Sequence, residues 1–154
     1  MTRIALALAA VLALAGCAAP TPNSTPTATI TATAEPVTAA SVAAKIKTAV
    51  PGVWLIPITD ANDPNNLLGR PTGYVAAVIV NDKRVTCDSL GTDCGATVEQ
   101  WPTAADATAR SEYIQSILKG GTWLGSEYDY VDGVVLIRVS GALKPSQAKA
   151  YDVR

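Results

Sequence analysis

The chain has 154 residues, among them 12 basic residues, 13 acidic residues and no histidine. Its Lys and Arg residues are scattered along the chain, so it lacks the clustered basic face that phosphate binding needs, and we expect no nucleic-acid partner. The absence of His removes the usual base of a hydrolase triad and a common metal ligand. The composition therefore favours a non-enzymatic protein with no cofactor and no metal site.

The first 17 residues follow the order of an export signal. Arg3 precedes an uncharged apolar run over residues 4–13, which is shorter than the roughly 20 residues that a membrane-spanning helix needs. The run leads to LAGC at residues 14–17, which resembles the lipobox of bacterial lipoproteins. This resemblance implies that residues 1–16 are a signal peptide and that Cys17 is the lipidated first residue of the mature protein, anchored on the extracytoplasmic face of the cell membrane. The alternative is a secreted protein with an incidental Cys17.

Residues 17–40 are the predicted lipidated cysteine and flexible linker. After Cys17 they are almost all Ala, Thr, Pro and Ser, with few large apolar side chains to bury, which is typical of an extended tether. Such a tether reaches roughly 25 to 30 Å as a random coil and roughly 70 Å in polyproline form. Residues 41–154 then have the size of one small folded domain.

A helix and three strands are predicted in the first half of this domain. Ser41 can cap a short helix that ends at Pro51-Gly52. Strands are expected over residues 53–59, 74–80 and 96–101. The first of them should lie near a sheet edge, because Pro57 has no N–H to donate to a neighbouring strand.

A longer helix and a hairpin are predicted in the second half. Thr103 can cap a helix that runs to about Lys119. Its apolar inner face is expected to consist of Ala107, Ile114, Ile117 and Leu118. Strands over residues 128–131 and 134–139 flank Asp132-Gly133, which suits a two-residue turn, and a last helix begins near Pro145. The elements together predict an α+β domain, a mainly antiparallel sheet covered by helices.

Cys87 and Cys94 remain once Cys17 is assigned to the anchor. An even pair in an exported domain favours a disulfide, because compartments outside the cytoplasm are oxidising. A metal or redox pair is the alternative, but the spacing is not Cys-x-x-Cys and the chain has no His. We therefore predict a disulfide between the two.

An oxygen-rich loop follows the first strand. Its composition resembles that of calcium-binding loops in the residues Asp60, Asn62, Asp63, Asn65 and Asn66. A loop begun at Asp60 lacks the Gly at its sixth place and the Glu at its twelfth that such loops carry. The favoured alternative is that these side chains cap turns. Asn62, Asp63 and Asn65 remain candidate binding residues.

Leu67, Leu68 and Arg70 complete this candidate binding edge. Exposed apolar groups beside an Arg are typical of the cores of protein interfaces. An equally favoured alternative is that both leucines pack at one end of the hydrophobic core and close it.

A second candidate surface lies on the first strand of the hairpin. Strand alternation puts Tyr128 and Tyr130 on one sheet face and Glu127 and Asp129 on the other. The tyrosines are candidate binding residues. The carboxylates form either a solvated face, which is favoured, or an acid and base for glycoside cleavage.

Several segments carry a family resemblance. NDPNNLLGRP at residues 62–71, EYDYVDG at 127–133, RVSG at 138–141, Leu143 and PSQA at 145–148 resemble small lipoproteins of actinobacteria and of their temperate phages and prophages. The resemblance implies superinfection exclusion, in which a surface lipoprotein stops a second phage from adsorbing or injecting its DNA. The partners would be the membrane, through Cys17, and an envelope protein or phage component.

Two other functions stay open. One is a housekeeping envelope lipoprotein that binds a wall component, a small solute or a neighbouring envelope protein. The other is an enzyme that uses carboxylates alone, with Glu127 and Asp129 as its reactive groups.

Overall fold

The computed structural model describes residues 36–154, so the predicted signal peptide, Cys17 and the linker as far as residue 35 lie outside the described residues. The described part contains three α-helices and five strands, with short 3-10 turns between some of them. Their bounds are α1 Ala39–Ala49, β1 Val53–Pro57, β2 Ala76–Asp82, β3 Gly95–Gln100, α2 Ala104–Lys119, β4 Glu127–Asp132, β5 Val135–Ser140 and α3 Pro145–Ala148. Within these residues, no helix has the length and apolar character needed to cross a membrane.

The five strands form one antiparallel sheet in the order β1-β2-β3-β5-β4. The predicted α+β class with a mainly antiparallel sheet is confirmed. β1 lies at an edge and ends at Pro57, as the missing proline N–H predicts. β3 is the central strand, so its side chains reach the middle of both sheet faces.

The helix α1 and the C-terminal segment pack against one face of the sheet. Ile46 of α1, Val98 of β3, Ile137 of β5 and Tyr151 beyond α3 are fully buried there in one apolar cluster. A second apolar cluster, which includes Ile79, lies on the opposite face of the sheet, the face against which α2 packs. Residues 36–154 therefore carry their own hydrophobic core on both faces of the sheet.

The first helix begins earlier than the sequence predicts. Thr38 is its N-cap and accepts a hydrogen bond from the Ser41 N–H, while the Ser41 hydroxyl oxygen accepts one from the Thr38 N–H. The prediction of Ser41 as the cap is wrong, because Ser41 is the third helical residue of a reciprocal capping box. The helix consequently includes two residues that were assigned to the linker, Ala39 and Ala40.

The second helix has the predicted bounds, and its predicted inner face is confirmed in part. Thr103 caps α2 by accepting a hydrogen bond from the Asp106 N–H at 3.1 Å. Of the four residues expected inside, Ala107 is the buried one, and Ile117 is 39% exposed. The expected face is confirmed in part, because Ile114 and Leu118 are partly buried, and α2 also turns the polar Ser111 and Gln115 towards the sheet, where they contact Asp129 and the Glu127 backbone.

The hairpin turn lies one residue further along than predicted. Asp132 pairs with Val135, so the two turn residues are Gly133 and Val134. Gly133 has a φ of 55°, and within the described residues Asn66 is the one non-glycine residue with positive φ. A type II′ turn requires positive φ at its first central residue alone, and Gly133 provides it. A turn centred on Asp132-Gly133 would have required positive φ at both of these residues.

The predicted disulfide is confirmed. The Cys87 and Cys94 sulfur atoms are bonded to each other, and the two Cα atoms are 5.0 Å apart. Cys94 is buried at the end of a 3-10 turn that leads directly into β3. The bond therefore fixes the start of the central strand.

Candidate functional site

The loop between β1 and β2, residues 60–73, is organised by one carboxylate. Its oxygens accept hydrogen bonds from the Tyr74 hydroxyl and from the N–H groups of Asn65, Leu67 and Leu68 at 2.9, 2.7 and 2.7 Å. That carboxylate is Asp63. Burial alone would raise its pKa, but these hydrogen bonds outweigh burial and lower the pKa. Both oxygens are engaged within the loop, so the turn-capping interpretation is favoured over the calcium one.

Two other predicted binding residues also act within the loop. Asn62 accepts hydrogen bonds from the Thr59 N–H and hydroxyl and donates one to the Pro57 carbonyl oxygen at 3.1 Å. Arg70 donates to the Asn66 side-chain oxygen at 2.6 Å, and both residues are exposed. These contacts are local, and neither Asn62 nor Arg70 lines the cleft that the loop borders.

A cleft of about 400 Å³ lies between this loop and α2. Its walls are formed mainly by Leu67, Pro71, Trp101, Pro102, Arg110 and Tyr113. Rings and aliphatic groups make up most of the lining, and the volume falls in the range of small-molecule sites. We call this feature the α2 cleft.

Tight packing fixes the loop wall of the α2 cleft. A Cβ atom on Gly73 would lie 1.8 Å from the Leu67 carbonyl oxygen, so the backbone at residue 73 accepts glycine alone. The fully buried Tyr74 follows, and its ring meets that of Trp101 edge to face at a centroid distance of 6.0 Å. The loop wall and the Trp101 wall therefore pack against each other and form one preorganised surface.

Arg110 supplies the cationic group of the α2 cleft. Its Nε lies 3.8 Å from Glu99 Oε2, which is too long for a hydrogen bond, and its Cζ lies 5.9 Å from the centroid of the Tyr113 ring. Within the described residues, the buried Nε has no hydrogen-bond partner. The cleft thus combines apolar walls with a guanidinium that is ion-paired with Glu99 and whose Nε makes no hydrogen bond.

No known protein family, curated protein or solved structure matches this chain. The resemblance to actinobacterial and prophage lipoproteins therefore stays a prediction.

The structure separates the predicted binding residues. Leu67 lines the α2 cleft, and Leu67 and Leu68 both pack against the second apolar cluster, which favours the core-packing alternative, while the binding edge stays a prediction. Asn65 is exposed and contributes its backbone N–H to the loop. Tyr128 and Tyr130 pack against the first cluster, on the other face of the sheet. The predicted residues therefore do not form one site.

A buried charged network lies between α2 and the sheet. Arg138 donates to Glu127 through Nε and Nη2, both at 2.8 Å, and to Glu99 Oε1 through Nη1 at 3.0 Å. The Trp101 indole N–H donates to Glu99 Oε2 at 3.1 Å. Burial raises the pKa of Glu99. Burial alone would lower the pKa of Arg138, but the hydrogen bonds and charges of Glu127 and Glu99 raise it instead.

The solvated face predicted for Glu127 and Asp129 is wrong. Glu127 is held by Arg138, and Asp129 Oδ2 accepts a hydrogen bond from the Ser111 hydroxyl of α2 at 2.9 Å. Burial raises the Asp129 pKa, and its Oδ1 is buried with no hydrogen-bond partner in residues 36–154. Neither carboxylate lines the α2 cleft, so the geometry gives no support to the acid–base alternative. No group of three or more His, Cys, Asp or Glu residues in this part of the chain is placed to hold a metal.

Sequence reasoning missed Arg110 and Tyr113. A signal was present, because Arg110 stands three residues after Ala107 and so places a cation near the predicted inner face of α2. A cation at that position needs either a buried acid or a ligand. Glu99 could not be named as the acid, because it lies on a strand whose register with β5 is set by tertiary contacts.

Proposed function

We propose that this protein is a lipid-anchored binding module on the extracytoplasmic face of the cell membrane, and that the α2 cleft is its binding site. The observation that carries the proposal is the cleft itself. It places apolar walls around the Arg110 guanidinium on a scaffold whose loop wall is fixed by Asp63 and Gly73. Pockets of this kind bind ligands through apolar contact and orient them with a few polar groups.

The anchor is proposed from the lipobox at residues 14–17. The Cys87–Cys94 bond is consistent with this location, because disulfides persist in oxidising compartments outside the cytoplasm. Two or three acyl chains on Cys17 would hold the protein at the bilayer essentially permanently, at about 0.8 kcal/mol per buried methylene.

Metabolic labelling with palmitate tests the anchor. The wild-type chain should incorporate label and fractionate with membranes, and Cys17→Ala should lose both. A Cys87→Ala/Cys94→Ala variant is the matched control, because it removes the two other cysteines and leaves Cys17 in place. An unlabelled wild-type chain, or one found in the cytosol, would contradict the anchor.

Within this role, the family resemblance favours superinfection exclusion. The test is expression in a susceptible host, with phage adsorption and plaque formation as the measurements. The wild-type chain should reduce both for at least one phage, whereas Cys17→Ala should restore plating. Tyr113→Ala should also restore plating at an unchanged protein level, because it removes one wall of the α2 cleft. Unchanged plating across a broad phage panel would contradict exclusion and favour an envelope ligand instead.

A further inference from the structure

We propose that the α2 cleft takes a small organic anion with a flat apolar body, its carboxylate or an equivalent group facing Arg110 and its body between the ring-lined walls. This inference rests on the proposed function, since it names the ligand class of the same cleft. Two observations carry it: the hydrogen-bonding state of Arg110 and the chemistry of the walls.

The first observation is that Arg110 retains donor capacity. Its nearest acid, Glu99, already accepts hydrogen bonds from Arg138 at Oε1 and from the Trp101 indole N–H at Oε2. The Arg110 Nε forms an ion pair with Glu99 at 3.8 Å, a distance beyond hydrogen-bond range, and is buried without a hydrogen-bond partner in the described chain. An acceptor that reaches this Nε removes the cost of the unsatisfied buried donor, and a charged acceptor does so most strongly.

The guanidinium is also held in place. It lies over the Tyr113 ring on one side and near Glu99 on another, and its side chain is 14% exposed. A planar fork in a fixed position matches the two oxygens of a carboxylate or sulfonate. Because little side-chain freedom is left to lose, binding such a group has a low entropic cost.

The second observation is the chemistry of the walls. Rings from Pro71, Trp101, Pro102 and Tyr113 line the cleft, and Leu67 closes its loop side. Ring surfaces favour a flat aromatic or alicyclic body over a branched or strongly hydrated one. The acidic side chain in the lining is Asp106, whose carboxylate accepts the hydroxyl hydrogen of Thr103 at 2.7 Å. Arg110 is the cation in the lining, 5.9 Å from the centroid of the Tyr113 ring, and its charge sets the preferred sign of the ligand.

Two fluorescent probes of nearly the same shape test the inference. Anilinonaphthalenesulfonate carries an anion, and N-phenyl-1-naphthylamine is its neutral counterpart. Both are titrated into the chain from Ala18 to Arg154, which contains the whole described domain and its core and omits the apolar signal. The variants are Arg110→Gln and Tyr113→Ala. The controls are Lys119→Gln, an exposed cation on the same helix, and Trp123→Ala, an indole that is 84% exposed away from the cleft lining.

The sulfonate should bind about tenfold or more tightly than the neutral probe, the effect of one hydrogen-bonded charge. Arg110→Gln should abolish this preference, Tyr113→Ala should weaken both probes, and the two controls should change neither. Circular dichroism verifies that each variant is folded, and Tyr113→Ala, at a side chain 57% exposed, keeps the test valid if Arg110→Gln unfolds.

Three results would overturn the inference. They are equal affinity for the two probes, an anion preference that survives Arg110→Gln, and loss of binding in Trp123→Ala. Equal affinities that both fall in Tyr113→Ala would refute the anionic ligand class while leaving the cleft as a binding site. Failure of both probes to bind at all would count against the cleft and so against the proposed function.

Discussion

At the scale of single residues, Asp63 determines the shape of the loop that borders the α2 cleft. One carboxylate satisfies three backbone N–H groups and the Tyr74 hydroxyl, which strand pairing leaves free at that point in the chain. Unpaired buried N–H groups are costly, so this side chain stabilises the conformation of the loop.

Asp63→Asn should lower the free energy of unfolding by about 3 kcal/mol. The amide replaces one carboxylate oxygen with a donor, so the bonds to that position are lost, and the rest lose their charge assistance. Urea unfolding at neutral pH measures the change. Asp60→Asn is the control, because Asp60 is an exposed carboxylate in the same loop, and it should stay within about 0.5 kcal/mol of the wild type. Equal effects of the two variants would contradict the role given to Asp63.

The same residue predicts a pH dependence. The folded-state pKa of Asp63 lies below its ordinary value, so its contribution is present above about pH 4 and is lost as the pH falls through the folded pKa. Stability measured from pH 6 to pH 2 should therefore fall less steeply in Asp63→Asn than in the wild type. If the free energy of unfolding fell equally with pH in the two proteins, other carboxylates would account for the loss of stability in acid.

At the scale of elements, α2 shows what the sequence could and could not predict. Thr103 and Gly120 bound the helix in sequence, because capping is local. Its inner face was predicted only in part, since that face also packs over Glu99, Glu127 and Arg138, whose side chains meet across three strands. Contacts between residues that are far apart in the sequence leave no periodic pattern in it. For the same reason, Leu67 is the one residue of the α2 cleft that the sequence predicted as a binding residue.

Replacement by Ala should affect stability differently at Thr103, the N-cap of α2, and at Thr108, within the helix. Thr103→Ala removes the N-cap acceptor and should lower the free energy of unfolding by about 1 kcal/mol. Thr108→Ala, one turn into the helix and exposed, should leave stability unchanged or raise it by a few tenths of a kcal/mol, because Ala has the higher helix propensity. Thermal unfolding of the pair gives the comparison. Destabilisation of similar size in both would mean that α2 is insensitive to its cap.

At the scale of the whole molecule, the central strand separates two ends with different chemistry. Cys94 immediately precedes β3, beside a more polar cleft of about 460 Å³ that includes Ser126 and Ser140. Trp101 immediately follows β3 and lines the α2 cleft. A strand of six residues spans about 20 Å, so the disulfide and the α2 cleft lie at opposite ends of the domain.

This separation predicts that stability and binding can be changed independently. Cys87→Ala/Cys94→Ala should lower the free energy of unfolding by about 2.5 kcal/mol, the loop-closure entropy for about eight residues, and should raise the urea m-value because the unfolded chain expands. Dithiothreitol should reproduce the loss in the wild type and have no effect on the variant. Affinity for anilinonaphthalenesulfonate should stay within about twofold of the wild type in the absence of urea. A loss of probe affinity in the folded variant would show instead that the two ends are coupled through β3.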